Sequence, residues 1–192
     1  MKTRFALLAI VLVAFCSRSY GQACAVDKGA SFITGMASFM SQGGDLFQDN
    51  ESNRATTLTL STSVNHFVSN NFFIGGGFEI STQAQDYVKT NSLGIGPQIG
   101  YAFGKPGSPV YPYLDAGLRY YRMAVDYGPY GNTKAGGLDI FVSAGLLVPI
   151  RTNLGIAIEG AYHMMDLKYQ DFHDSQSGNI FSFGIGIVGL LF

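Results

Sequence analysis

The sequence predicts an all-β protein: an eight-stranded, antiparallel, up-and-down transmembrane barrel preceded by a signal peptide. Three observations lead there. Period-two alternation over about ten residues recurs along the chain, each time stopped by turn residues. Charged residues are only 13% of the 192, whereas a soluble surface alone carries ~25–35%. Glycine is abundant, at 25 residues, and aromatics reach 14%, a composition that favours strands and turns over helices.

At the N-terminus, Lys2 and Arg4 precede an apolar run from Phe5 to Phe15 and then small residues. This is the pattern of a secretory signal peptide, too short to span a membrane as a helix. Residues 1–21 form that signal, with cleavage as late as Ala23 also compatible. Residues 22–30 are then a short periplasmic segment and 31–192 the barrel domain. Neither Cys16 nor Cys24 follows the residues that lipidation requires. Cys16 leaves with the signal, so Cys24 has no partner for a disulfide. Beyond the signal no apolar run approaches the ~18 residues of a spanning helix, so any crossing is made by strands.

The alternation places strands near Ser31–Met40, Arg54–His66, Asn71–Ser81, Asn91–Phe103, Val110–Val125, Gly136–Val148, Asn153–Lys168 and Asn179–Leu191. Three connections are short: VSNN, GKPGSP and PIRTN. Four are longer and more polar: SQGGDLFQDNESN, TQAQDYVK, DYGPYGNTKA and QDFHDSQSGN. Short turns belong to the periplasmic side of such barrels and long loops to the outside, so both termini are expected in the periplasm. Pro97 interrupts the fourth strand, where a bulge or local break is expected because proline cannot donate to the ladder.

One face of each strand is bulky and apolar, the other small or polar. Leu58, Leu60, Thr62 and Val64 oppose Thr57, Thr59, Ser61 and Ser63; Leu93, Ile95, Pro97 and Ile99 oppose Gly94, Gly96, Gln98 and Gly100. The small face would make a poor solvated surface but suits an eight-stranded lumen, which is just wide enough for side chains to fill. Glu79, Asp115, Arg119, Asp139 and Glu159 fall on the small faces. They are expected to form a polar cluster at mid-barrel with Arg119 as cationic hub, because a lone charge there would be costly. Arg122, on the lipid-facing parity, is a candidate contact for lipopolysaccharide phosphate, or a snorkelling arginine. Tyr101, Phe103, Tyr111 and Tyr113 at one end, and Tyr120, Tyr121, Tyr127 and Tyr130 at the other, read as interfacial girdles.

These features resemble the small outer-membrane β-barrel proteins of the OmpA/OmpX type. The resemblance covers the signal, the strand and loop alternation from about Ser31 to Phe192, and the ending FSFGIGIVGLLF. It implies the outer membrane of a Gram-negative bacterium, contact with outer-membrane lipid and lipopolysaccharide, and handling by periplasmic chaperones and the barrel assembly machinery. That machinery would read Phe192 and Leu190 as its signal. The chain departs in lacking the peptidoglycan-binding domain of OmpA and in a phase slip at Ile187-Val188.

No enzymatic signature stands out. The glycines of FIGGGFEI do not lead a strand into a helix, so no dinucleotide site follows. The pair His173 and Ser175 is similar to the His-x-Ser of lipid A deacylases, but the acid expected about a dozen residues on is missing. His163 is expected to hydrogen-bond near the outer end of the lumen. Asp45, Asp49 and Glu51 lack the ordered alternation of a calcium loop. No cofactor or metal is called for, and a net charge of −1 argues against nucleic acid. The expected function is structural, in envelope integrity or through the external loops of a monomer. A narrow pore for ions or small solutes is the alternative, and a lipid-modifying enzyme ranks below both.

Overall fold

The computed structural model describes residues 26–42, 55–86, 88–105, 107–169 and 175–191. It holds eight strands: β1 (Ser31–Gln42), β2 (Ala55–Ser69), β3 (Phe72–Gln85), β4 (Val88–Ala102), β5 (Tyr111–Asp126), β6 (Asn132–Arg151), β7 (Leu154–Tyr169) and β8 (Ser175–Leu191). Each is antiparallel to its neighbours and β1 pairs with β8, so the sheet closes into an up-and-down barrel. No helix among the described residues is long and apolar enough to cross a membrane.

The small face is the interior. Along β2, Leu58, Leu60 and Val64 are exposed on the outside, while Asn65 and Phe67 are buried within. The outer belt of Leu, Ile, Val and Phe continues over every strand. In water that surface would be a large apolar patch; in a bilayer it is what the hydrocarbon requires.

Several expectations are refined. TQAQDYVK is no long loop: β3 runs to Gln85 and β4 begins at Val88. Asp86 takes a positive φ of 50°, which a short acidic side chain tolerates in a turn. DYGPYGNTKA likewise shrinks to a 3-10 turn, Gly128–Tyr130, between long strands. Alternation in these segments is carried by polar residues, so an apolar pattern ends before the strand does. At 12 to 20 residues the strands exceed the ~9–11 needed to cross, and the excess projects at the loop end of the barrel.

Around Pro97 the β4–β5 pairing breaks between Ile95↔Tyr120 and Gln98↔Gly117 without changing register. The expected local break is there, and no bulge accompanies it. The slip at Ile187-Val188 does not occur. Ile185 and Ile187 stay outside while Val188 and Leu190 turn inward and are buried; apolar residues occur on both parities here because the turn end of the lumen is itself apolar.

Tyr111, Tyr113 and Tyr121 also correct the girdle reading. All three point into the barrel and are buried, whereas Tyr101, Phe103, Tyr120, Tyr127 and Tyr130 remain exposed. The first two join Phe32, Phe67, Phe73, Leu147, Val188 and Leu190 in an apolar cluster that fills the turn end of the lumen. Phe73 packs edge-on against Phe32 and Phe67, with ring centroids 5.0 and 5.6 Å apart. The segment before β1 adds Val26 and Ala30 to this plug, tied by Gly29 N–H to the Phe67 carbonyl at 2.8 Å and Asn71 N–H to the Val26 carbonyl at 2.9 Å. Residues 1–25, including Cys16, Cys24 and the signal, lie outside the described residues.

Candidate functional site

Above the apolar plug the lumen turns polar. Glu79 on β3, Asp115 and Arg119 on β5, Asp139 on β6 and Glu159 on β7 all project inward, as the alternation requires. Arg119 Nη1 donates to Glu79 Oε2 at 2.6 Å, and its guanidinium lies 4.2 Å from the centroid of the Phe141 ring. Tyr121 Oη–H donates to the other oxygen of Glu79.

Arg119 bonds directly to one of the carboxylates rather than to all four. Among the described contacts, its only ion pair is with Glu79. Asp139, fully buried, accepts instead from His163 Nδ1 at 2.9 Å. Glu159 accepts from Tyr113 Oη at 2.7 Å, and Asp115 from Ser143 Oγ. The reason is geometric: an eight-stranded lumen is filled by side chains from all sides, so each acid meets the donor projecting nearest to it before it can reach a central cation. Tyr113, Tyr121 and Ser143 are these partners, and the sequence reading missed them as such. Their signal was their inward parity, two and four residues from acids or arginine on the same faces.

His163 does lie in the lumen, as expected, and its ring stacks on Phe141 with centroids 5.8 Å apart. With Nδ1–H given to Asp139, Nε2 is left to accept from Ser182 Oγ at 3.3 Å. Hydroxyl, imidazole and carboxylate follow the order of a hydrolase relay. Here the chain fixes the imidazole between β6 and β8. A second network runs Gln98 Nε2 to Asn65 Oδ1 at 2.8 Å, Asn65 Nδ2 to Ser63 Oγ at 2.9 Å, and Ser63 to Thr34 at 2.6 Å. Arg119 Nε and Asp139 Oδ1 are buried without a protein partner.

The polar layer divides the interior. Between it and the plug lies a void of about 20 Å³, bounded by Phe32, Asn65, Gln98 and Arg119. Above it a cavity of about 480 Å³ spreads toward the loop end, with Glu79, Arg119, Tyr121, Glu159 and His163 in its wall. Among the described residues no group of three or more His, Cys, Asp or Glu is placed to hold a metal ion. Arg122 is exposed on the outer face near Tyr120. Leu190 is spent on the plug, and Phe192 lies outside the described residues. So do the first-loop acids Asp45, Asp49 and Glu51, and His173.

No family model matches the chain, and no curated protein matches it either. Solved structures do resemble it. Neisserial surface protein A superposes with a TM-score of 0.61 at 17% identity, covering 85% of this chain and 97% of that one. The N-terminal β-barrel domain of Pseudomonas aeruginosa OprF gives 0.57 at 13%, covering 85% and 98%. Outer membrane protein AlkL, determined in DMPC bilayers, gives 0.50 at 12%, covering 91% and 93%. The shared feature is the fold: this chain forms a small closed β-barrel like those of these outer-membrane proteins.

Proposed function

We propose that the protein is an integral outer-membrane barrel of a Gram-negative bacterium, exported by a cleaved signal and acting in a structural or interaction role rather than as a catalyst or open pore. The observation that carries this reading is the doubly closed lumen. Hydrogen-bonded pairs cross it at mid-height, and a cluster of buried aromatic and aliphatic side chains fills the turn end. An ion would have to displace both layers. Against the pore alternative stands the void of about 20 Å³ between Arg119 and the plug, which has room for no more than isolated water. With the lumen closed at mid-height and at the turn end, what the protein presents to partners is its outer surface, the loop-end cavity and the long strand ends around it.

Planar-bilayer recording of the purified protein tests this. The expected result is conductance at or near the baseline, with at most brief openings. A large, steady conductance would overturn the reading and install the pore in its place.

A further inference from the structure

The barrel is not closed evenly around its circumference. On seven of the eight seams, between twelve and sixteen residues of each strand find a partner. The β1–β8 seam pairs only seven, from Ser31↔Leu191 to Ala37↔Ile185. Both strands continue past that point. β1 runs on to Gln42, paired with β2 throughout, and β8 reaches back to Ser175, paired with β7. Among the described residues, the loop-end halves of β1 and β8 thus have a ladder on one side only.

The cavity of about 480 Å³ lies behind this gap. Its wall includes inward residues, among them Ser38 and Ser182, but also the outward-facing Phe39, Phe181 and Phe183. Those three phenylalanines are 68%, 67% and 63% exposed on the barrel's outer face. A cavity bounded by residues of both parities on two adjacent strands passes between them. Seven residues at ~3.3 Å rise and a tilt of ~40° bring the start of the gap ~18 Å above the turn end, still within an apolar band ~25 Å tall. The opening therefore meets lipid.

What it would admit follows from the wall. The charged groups there already have partners: Glu79 with Arg119, Glu159 with Tyr113, His163 with Asp139. Among the uncharged polar groups hydroxyls dominate, notably Thr57, Thr59, Ser61, Ser81, Thr90 and Ser92. Met36, Met123 and Met165 give apolar surface between them. Backbone groups without a ladder in hydrocarbon also need hydrogen-bond partners. We propose that the β1–β8 gap is a lateral port through which the lumen takes one single-chain lipid with a neutral, hydroxylated head, of the monoacylglycerol class. The head lies against the hydroxyl wall and the chain leaves past Phe39, Phe181 and Phe183 into the membrane. The cavity is within the ~300–1,000 Å³ range of small-molecule sites, and this role goes beyond the structural one.

The probe is a monoacylglycerol with a diazirine in its chain, added to the full mature protein with Cys24→Ser in lipid nanodiscs. Saturable labelling of β1 and β8 residues lining the cavity is expected, with unlabelled monoacylglycerol competing at least tenfold better than a fatty carboxylate of equal length. Labelling confined to scattered outer-belt residues, or no preference for the neutral head, would overturn the proposal. Two cysteine pairs test the port itself. Ala37→Cys with Ile185→Cys sits at the last pair of the ladder and outside the cavity wall, where directly opposite Cβ atoms lie ~4.5–5.5 Å apart, within reach of a disulfide after a small shift. This pair should oxidise readily and leave labelling within twofold. Met40→Cys with Ser182→Cys lies across the gap and should resist spontaneous oxidation; bridged with dibromobimane, it should cut labelling at least tenfold. Ready oxidation of the upper pair would show a closed seam and refute the port, as would recovery of the upper-pair protein as a dimer joined along β1 and β8. A heat-shift gel on each variant confirms the folded barrel.

Discussion

Replacing Arg119 with alanine tests whether the mid-barrel layer is held together in pairs. The substitution removes the 2.6 Å ion pair with Glu79 and the cation held 4.2 Å over Phe141. Glu79 keeps only the Tyr121 hydroxyl as a protein donor. Its side chain is 14% exposed and that of Arg119 10%, so both are largely withdrawn from bulk solvent. Breaking a buried pair from one side costs ~3–5 kcal/mol, and the lost contact with Phe141 adds ~0.5–2 kcal/mol. Glu79 also lines the wide cavity, where water would rehydrate it, which favours the lower end, ~3 kcal/mol. Glu79→Gln with Arg119→Ala removes the stranded charge and should recover ~1–2 kcal/mol of that loss. Reversible urea unfolding in lipid vesicles, with the folded fraction read from unboiled gels, gives both numbers. A loss below ~1 kcal/mol for Arg119→Ala, or a double variant weaker than the single one, would refute the pairwise account. Conductance should stay at the baseline in both variants, because the aromatic plug lies beneath the pair; a rise in cation leakage would mean that Arg119 is the sole seal.

Three further outcomes are expected. Phe73→Ala empties the centre of the plug and should cost ~3–5 kcal/mol in the same assay, with intermittent conductance appearing only when Arg119→Ala is combined with it. Gly100→Val should prevent assembly, measured as loss of the heat-shifted band, since a Cβ there meets the Phe73 ring and lies 2.7 Å from Asp115 Cβ and the Leu114 carbonyl oxygen. An epitope inserted at Gly131 should be reached by antibody on intact cells and one at Gly107 should not; the reverse would invert the barrel in the membrane.

The fold was legible because a transmembrane strand must keep one face apolar, and that demand writes period two into β2 and β4 almost without exception. What the period cannot show is how the small face is filled. Phe32, Phe67 and Phe73 share that face with threonine, serine and glycine, and at the turn end they complete a core where aromatics on the opposite parity would meet lipid. Tyr111 and Tyr113 could be read as a girdle because composition near a turn is the same for both roles; parity alone separates them from Tyr101 and Phe103, and parity counts only once the strand's register is known. The five lumen charges, four acids and Arg119, were found because a charge within such a strand is costly on the lipid-facing side. Their partners were not, because which donor each acid meets depends on register across seams: Arg119 stands opposite Asp139 in the β5–β6 ladder, yet bonds to Glu79 from β3. Asp115 does meet its ladder partner Ser143, but Arg119 and Tyr113 each reach a carboxylate two strands away, Tyr113 passing over Gly145 to Glu159. The uneven β1–β8 seam was equally invisible, since the shortness of that pairing belongs to neither strand: β1 and β8 each read, and each form, as complete strands against their other partner.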